Sequence, residues 1–268
     1  MNWKKHFRRK YFKTAALTAG VFALGATSWS LVKIYGSESW AYQTTPMTVE
    51  SQKPKHLKTP EPVKAIYMTS WVAGTRDWRA ELVEFIKKSE LNSVVIDVKD
   101  YTGRVSFDTA NPKIKEVVSE EIRVKDMKDF VESLHDAGIY AIARITAFQD
   151  PFYAKKHQEI AVQKKNGMTW KDKKGLAYID PGAREFWDYI IEVAKASEAA
   201  GFDELNFDYI RFPSDGDMKD IAYPISKNRN KVEALSEFFA YLDSQLSGLP
   251  IPISADVFGM TTTNYDDL

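Results

Sequence analysis

The stretch GFDELNFDYIRFPSDG, residues 201–216, sets apolar Leu205, Phe207 and Tyr209 in alternation with Glu204, Asn206 and Asp208. That is the period of a strand with one packed face. Its other face carries an amide and two carboxylates, with Asp208 at the C-terminal end, and either looks at water or lines a site. Other apolar runs end in the same way. Asp97, Lys99 and Asp100 close one, Arg144 falls late in another, and Ser254 and Asp256 close a third. Alternation groups Asp97 with Lys99, Asn206 with Asp208, and Ser254 with Asp256 on common faces. Neighbouring parallel strands run about 4.8 Å apart, so carboxylates ending adjacent strands reach the two sides of one bond.

The elements that must hold these residues alternate from residue 63 onward. Runs at 64–71, 92–100, 139–148, 204–209 and 251–259 read as strands, the second rich in β-branched residues. Helical stripes fall between them at 77–88, 123–137, about 181–200 and 229–246. Asp180 is the expected N-cap of the third helix, with Pro181 at its first position. Gly138 and Gly201 are expected to close the second and third helices. Strands alternating with helices imply an α/β fold with a parallel sheet. No strand is followed by GxGxxG or GxxxxGK[ST], which argues against a nucleotide site. Polar residues gathered at strand C-termini favour a (β/α)8 TIM-type barrel over an open doubly wound sheet. Only five of eight strands are visible, so the barrel domain, 63–268, is expected to be C-terminally incomplete.

Residues 1–13 hold six Lys and Arg and no acid, and 14–32 contain no charge over 19 residues. A basic flank before an apolar run of this length reads as a membrane-spanning anchor or signal helix within 1–35. Residues 36–62, with Pro46, Pro54, Pro60 and Pro62, read as a linker. The expected location is therefore extracytoplasmic, membrane-anchored or secreted at a bacterial cell envelope, with the membrane met only through that helix.

The formal net charge is zero. From Glu61 onward, however, 27 Lys and Arg face 35 Asp and Glu, a net −8 that makes nucleic acid a poor partner. There is no cysteine, which removes disulfides and thiolate chemistry. The four histidines show no paired-ligand spacing, and His135 reads as a packing or surface residue. Asp215, Asp217 and Asp220 depart from an EF-hand pattern. No metal site and no cofactor are expected.

The segment YIDPGAREFWDYIIEVAKASEAAGFDELNFDYIRFP, 178–213, resembles the signature of the bacterial glycoside hydrolases grouped as DUF4015. These are similar to the barrel glycosidases related to the α-amylase clan. WVAG at 71–74 and VVIDVKDYTGRV at 94–105 agree with the resemblance, which spans roughly 63–268. It implies a hydrolase acting on a polysaccharide or cell-surface glycan, with Asp208 in the place of the strand-4 nucleophile. Where enzymes of the α-amylase type put a Glu acid/base on strand 5, this chain has Asp256, the candidate for that role here.

The implied substrate-binding set is Asp97, Arg144, Asn206, Arg211, Trp71 and Tyr209. Arg211 would pair with Asp208 or meet sugar hydroxyls, and Asn206 would orient the nucleophile. The rings of Trp71, Tyr101, Phe148, Phe152, Trp170 and Tyr209 would offer stacking faces. The competing reading is a non-catalytic carbohydrate-binding or cell-envelope protein on the same barrel.

Overall fold

The run SVVIDVK has the β-branched density of a strand buried on both faces, and it forms the second strand of a five-stranded parallel sheet. The computed structural model describes residues 54–117 and 119–259. The expected anchor helix and most of the expected linker lie outside these residues. Among the described residues no helix is long and apolar enough to cross a membrane.

The chain runs β1 (Ala65–Met68), α1 (Ser70–Gly74), α2 (Arg76–Lys87), β2 (Ser93–Lys99), α3 (Pro112–Val117), α4 (Met127–Asp136) and β3 (Tyr140–Thr146). It continues through α5 (Pro151–Lys156), β4 (Gln163–Lys164), α6 (Arg184–Ala199), β5 (Glu204–Asp208), a 3-10 turn, β6 (Ile221–Ala222), α7 (Lys231–Leu246) and β7 (Ile253–Ala255). The main sheet is ordered β1-β2-β3-β5-β7, every pair parallel. Each strand lies beside its predecessor in this sheet, with no reversal of order. A doubly wound sheet must reverse at a switch point; this one winds in a single direction, as barrel sheets do.

One face of the sheet is the core. Val94, Ile96, Val98, Ala141, Ala143, Ile145, Leu205 and Phe207 are all fully buried. The α4 stripe of Phe130, Val131 and Leu134 belongs to the same apolar cluster, with Phe186, Ile190, Val193 and Ala194 of α6 and Phe238 and Leu242 of α7. Each of the larger of these side chains, Val, Leu, Ile or Phe, contributes about 1.5–3 kcal/mol on leaving water. Gly138 (φ +70°) follows the C-cap of α4. It adopts there the left-handed conformation that glycine takes without penalty.

Three local expectations change, and one strand pairing has no counterpart among them. A register shift between Asp97 and Lys99 pairs Lys99 with Ile145, a residue of the helix-facing core. Lys99 therefore leaves the face it was expected to share with Asp97, and its Nζ lies 5.7 Å from the Phe186 ring centroid. Helix α6 begins at Arg184 with Ala183 as N-cap, so Asp180 is not its cap. Asp180 instead accepts from the amides of Gly182 (3.0 Å), Ile225 (2.8 Å) and Ser226 (2.9 Å), tying two loops together. The fifth sheet strand shrinks to Ile253–Ala255. The two-residue strands β4 and β6 pair antiparallel in segments that lack any periodic signal.

His135 Nε2 donates to Asp203 Oδ2 at 3.0 Å, a packing role. Residues 54–60, the described end of the expected linker, pack at the opposite, N-terminal side of the sheet. The Leu57 amide donates to Asp203 (2.7 Å), and Thr59 bonds Tyr140 (3.0 Å).

At the exit of β2, Gly103 (φ +82°) is packed so tightly that a Cβ would fall 1.9 Å from Asp150 Oδ1. Asp150 is fully buried and caps α5 through the Tyr153 amide (2.7 Å), so it cannot swing aside. Gly103→Ala combines this clash with a strained φ. It is expected to cost at least about 2 kcal/mol, read as a lowered urea midpoint; an unchanged midpoint would show that the loop gives way freely.

Candidate active site

Parallel register sets residues of one face side by side across the sheet. Asp97 of β2 is the partner of Arg144 in β3, Arg144 of Asn206 in β5, and Asn206 of Ser254 in β7. One row further toward the strand C-termini, Thr146 is the partner of Asp208. The Asp256 amide donates to Phe207 O (2.8 Å), carrying the β5–β7 ladder a residue onward and setting Asp256 beside Asp208. The face opposite the helices thus carries a polar row with two carboxylates at its upper edge.

Arg144 is the centre of the row. Its Nη1 donates to Asp97 Oδ1 (2.6 Å), its Nε to Asp208 Oδ2 (3.1 Å), and its Nη2 to the same Asp208 oxygen. Two carboxylates around one guanidinium hold its pKa above the ordinary arginine value against the opposing effect of burial. Asp97 takes the Tyr67 hydroxyl on its other oxygen. Burial pushes the Asp97 carboxyl above the usual carboxylate range, and the bonds from Tyr67 and Arg144 oppose that shift. Tyr67 is likewise raised, by its own burial and then by Asp97.

Asp208 Oδ1 accepts from the Tyr209 amide at 2.6 Å, so both its oxygens are held by donors. Tyr209 has φ +54°, a conformation that costs a non-glycine residue of order 1–3 kcal/mol. The strained turn redirects the chain immediately after the carboxylate.

On the β7 side, Asn206 Nδ2 donates to Ser254 Oγ (3.1 Å) and Asp256 Oδ1 (3.2 Å). Ser254 in turn donates to Glu204 Oε1 (2.5 Å). Asn206 therefore orients Asp256 and not Asp208, the partner expected for it. Asp256 is exposed at the sheet edge.

Arg211 also departs from expectation. It donates to Ser214 Oγ (2.7 Å) and stacks over Tyr209 (5.0 Å) and Phe258 (4.4 Å), while Arg144 takes Asp208. Three residues of separation and the redirected backbone at Tyr209 turn Arg211 away. Tyr67 was not singled out from sequence; its position on β1, in register with Val95 two residues before Asp97, was the available signal.

The aromatic residues divide. Trp71 is 60% exposed, and Arg123 covers its ring at 4.6 Å. Arg123 is itself held by Asp100 (2.5 Å) and Ser70 (2.9 Å). Tyr101 is also exposed. Phe148 packs against Phe186 and Phe238 in the core, and Trp170 sits in a second apolar cluster with Val162 and Tyr178. Neither is a platform, because the helices cover one and the β4 and β6 excursions cover the other. Partly buried Tyr209 packs on that second cluster. Among the described residues, no group of His, Asp and Glu is arranged to hold a metal ion.

A singly wound parallel α/β sheet with carboxylates and an arginine assembled at its strand ends is a barrel-like α/β domain with a polar site at the strand C-termini. The chain belongs to the DUF4015 family, whose model, described as "Putative glycosyl hydrolase domain", matches residues 65–268. A hypothetical protein from Ruminiclostridium thermocellum ATCC 27405 is similar at 34% identity and a TM-score of 0.66, over 72% of this chain and 98% of that one. The noncanonic maltogenic α-amylase AmyB from Thermotoga neapolitana shares the fold at 13% identity and a TM-score of 0.50, over 75% of this chain and 46% of its own. The α-galactosidase TtGalA from Thermus thermophilus, in complex with stachyose, aligns at 15% identity and a TM-score of 0.48, over 76% and 42%. The chain spans less than half the length of these two glycosidases. No curated protein matches it.

Proposed function

We propose that the protein is an extracytoplasmic glycoside hydrolase that cleaves a polysaccharide or cell-surface glycan. Its β1, β2, β3, β5 and β7 are read as the first five strands of a (β/α)8-type barrel, and its residues 14–32 as the export or anchor helix. Asp208 is the nucleophile and Asp256 the acid/base. The observation that carries the reading is the pairing of these two carboxylates at adjacent strand ends, with Arg144 fixing the first and Asn206 the second.

Adjacent strands run about 4.8 Å apart, so carboxylates at their ends can span the roughly 5–5.5 Å of a retaining pair, the outcome proposed here. Asp208 attacks the anomeric carbon as the bond to the leaving oxygen breaks, and Asp256 gives its proton to that oxygen. A water then loses a proton to Asp256 and displaces Asp208 from the sugar. Asp97 and Tyr67 act behind Arg144, holding the guanidinium against the nucleophile. Exposed Trp71 supplies a stacking face for a further sugar ring, while Arg211 and Tyr209 flank the exit of β5.

Reducing-end release from a panel of envelope and plant polysaccharides tests the reading. The expected result is release from at least one polymer, with the first-formed product keeping the anomeric configuration of the substrate. Glycan binding without release from any member would move the protein to the carbohydrate-binding class. Fractionation of the full chain tests its location, and recovery with the membrane or outside the cytoplasm is expected.

A further inference from the structure

The proton count around Asn206 fixes the direction of its side-chain amide. Glu204 is an acceptor, so Ser254 must spend its hydroxyl proton on Glu204 Oε1. Ser254 Oγ is left to accept, and the amide end of Asn206 must be the donor facing it. The other amide proton goes to Asp256 Oδ1, where a carbonyl oxygen would meet a like-charged oxygen. Both donors of Asn206 are therefore used toward β7, and its Oδ1 is turned the other way. That oxygen is buried, on a residue only 9% exposed, and has no protein partner among the described residues. An unmet buried acceptor is costly, about 1–3 kcal/mol, and the residue that carries it stands in the polar row between Arg144 and Ser254.

The charges around it narrow what can meet it. Glu204, Asp97, Asp208 and Asp256 share this face with one cation, Arg144, whose guanidinium is already held between Asp97 and Asp208. Among the described residues the row accepts hydrogen bonds and has no spare cation for an anionic group, since Arg211 is turned away from it toward Ser214 and the rings of Tyr209 and Phe258. We infer that Asn206 is a specificity-determining residue: its Oδ1 accepts from one ring hydroxyl of a neutral sugar, and the site rejects uronic acids. This deepens the hydrolase reading and rests on it for the identity of the site.

Monosaccharides separate the two claims, because they bind without being hydrolysed. Calorimetric titration of the wild-type chain with glucose, galactose and mannose, and with glucuronic and galacturonic acid, is the first arm. At least one neutral sugar is expected to bind, with its uronic acid at least about tenfold weaker. The second arm uses the monodeoxy analogues of the best binder. One of them is expected to lose about tenfold or more against wild type, the loss set by the unmet acceptor. In Asn206→Ala that particular loss vanishes.

The wild-type arms stand even if Asn206→Ala does not fold. The inference is overturned by uronic acids binding as tightly as their neutral counterparts, or by a deoxy penalty that persists in Asn206→Ala. Failure of every neutral monosaccharide to bind overturns it as well, and polymer hydrolysis in that case would leave the hydrolase reading intact.

Discussion

Asp208→Asn is expected to lower kcat/KM on the responsive glycan by roughly 10⁴-fold or more, the scale on which removal of an attacking group acts. The substitution keeps the size of the side chain and one carbonyl oxygen, so either the Tyr209 amide or the Arg144 donors retain a partner, and not both. It removes the negative charge that Arg144 is arranged around and, on the proposed mechanism, the attacking oxygen. Because Arg144 is then paired with Asp97 alone, the thermal midpoint must be measured beside the rate and the comparison made at equal folded concentration. Azide supplies an external nucleophile to the smaller Asp208→Gly variant, and partial recovery of rate there would tie the loss to the missing attack. A rate within tenfold of wild type in folded Asp208→Asn would remove this residue from the chemistry.

The sequence made the sheet readable because its strands are short β-branched runs and its helices carry clean apolar stripes. Phe186, Ile190, Val193 and Ala194 are spaced for one face of a helix, and all four are buried on α6. The shared face of Asn206 and Asp208 was also legible, since alternation is enough to assign it. What alternation cannot see is a change of register. The shift at the end of β2 adds one residue to that strand, and Lys99 moves from the polar row into the helix-facing core. Partners set by long-range neighbours were equally hidden. Arg211 is three residues from Asp208 in sequence, yet Arg144, on the adjacent strand, is the cation that reaches it. Phe148 and Trp170 carry no local mark that separates a core ring from a stacking face; the cover comes from α6 and α7 in one case and from the β4 and β6 excursions in the other. Asp180 followed by proline had the composition of a helix start, but its carboxylate was drawn to the 225–226 loop, whose amides lie 45 and 46 residues away.

Lys99→Met is expected to cost about 3–5 kcal/mol, the cost of leaving a buried charge unpaired. For a domain of this size that lowers the thermal midpoint by roughly 6–20 °C. Lys99 Nζ lies 3.0 Å from Asp150 Oδ2, both side chains are 0% exposed, and the ammonium also donates to Thr146 O (2.7 Å). Methionine fills the same channel beside Phe186, so the loss measures charge and not volume. The pH dependence follows from Asp150, whose carboxyl is raised by burial while Lys99 and the Tyr153 amide oppose the rise. Without Lys99 the carboxyl is raised further, so the folded variant keeps a proton that the unfolded chain releases. The stability from that proton is complete below the unfolded carboxyl pKa of about 3.9 and is lost as pH rises through the folded value. The deficit against wild type should therefore be smallest in acid and widest at neutral pH. Lys99→Met combined with Asp150→Asn removes both charges and retains a side-chain oxygen for the α5 cap, and it should recover most of the loss. Equal destabilisation of single and double variants, or a deficit that does not change with pH, would show that the pair is not held by charge. The consequence for the site is direct: Thr146 is the register partner of Asp208, so the pair that pins the end of β2 to the end of β3 also sets the spacing across which Arg144 joins Asp97 to Asp208.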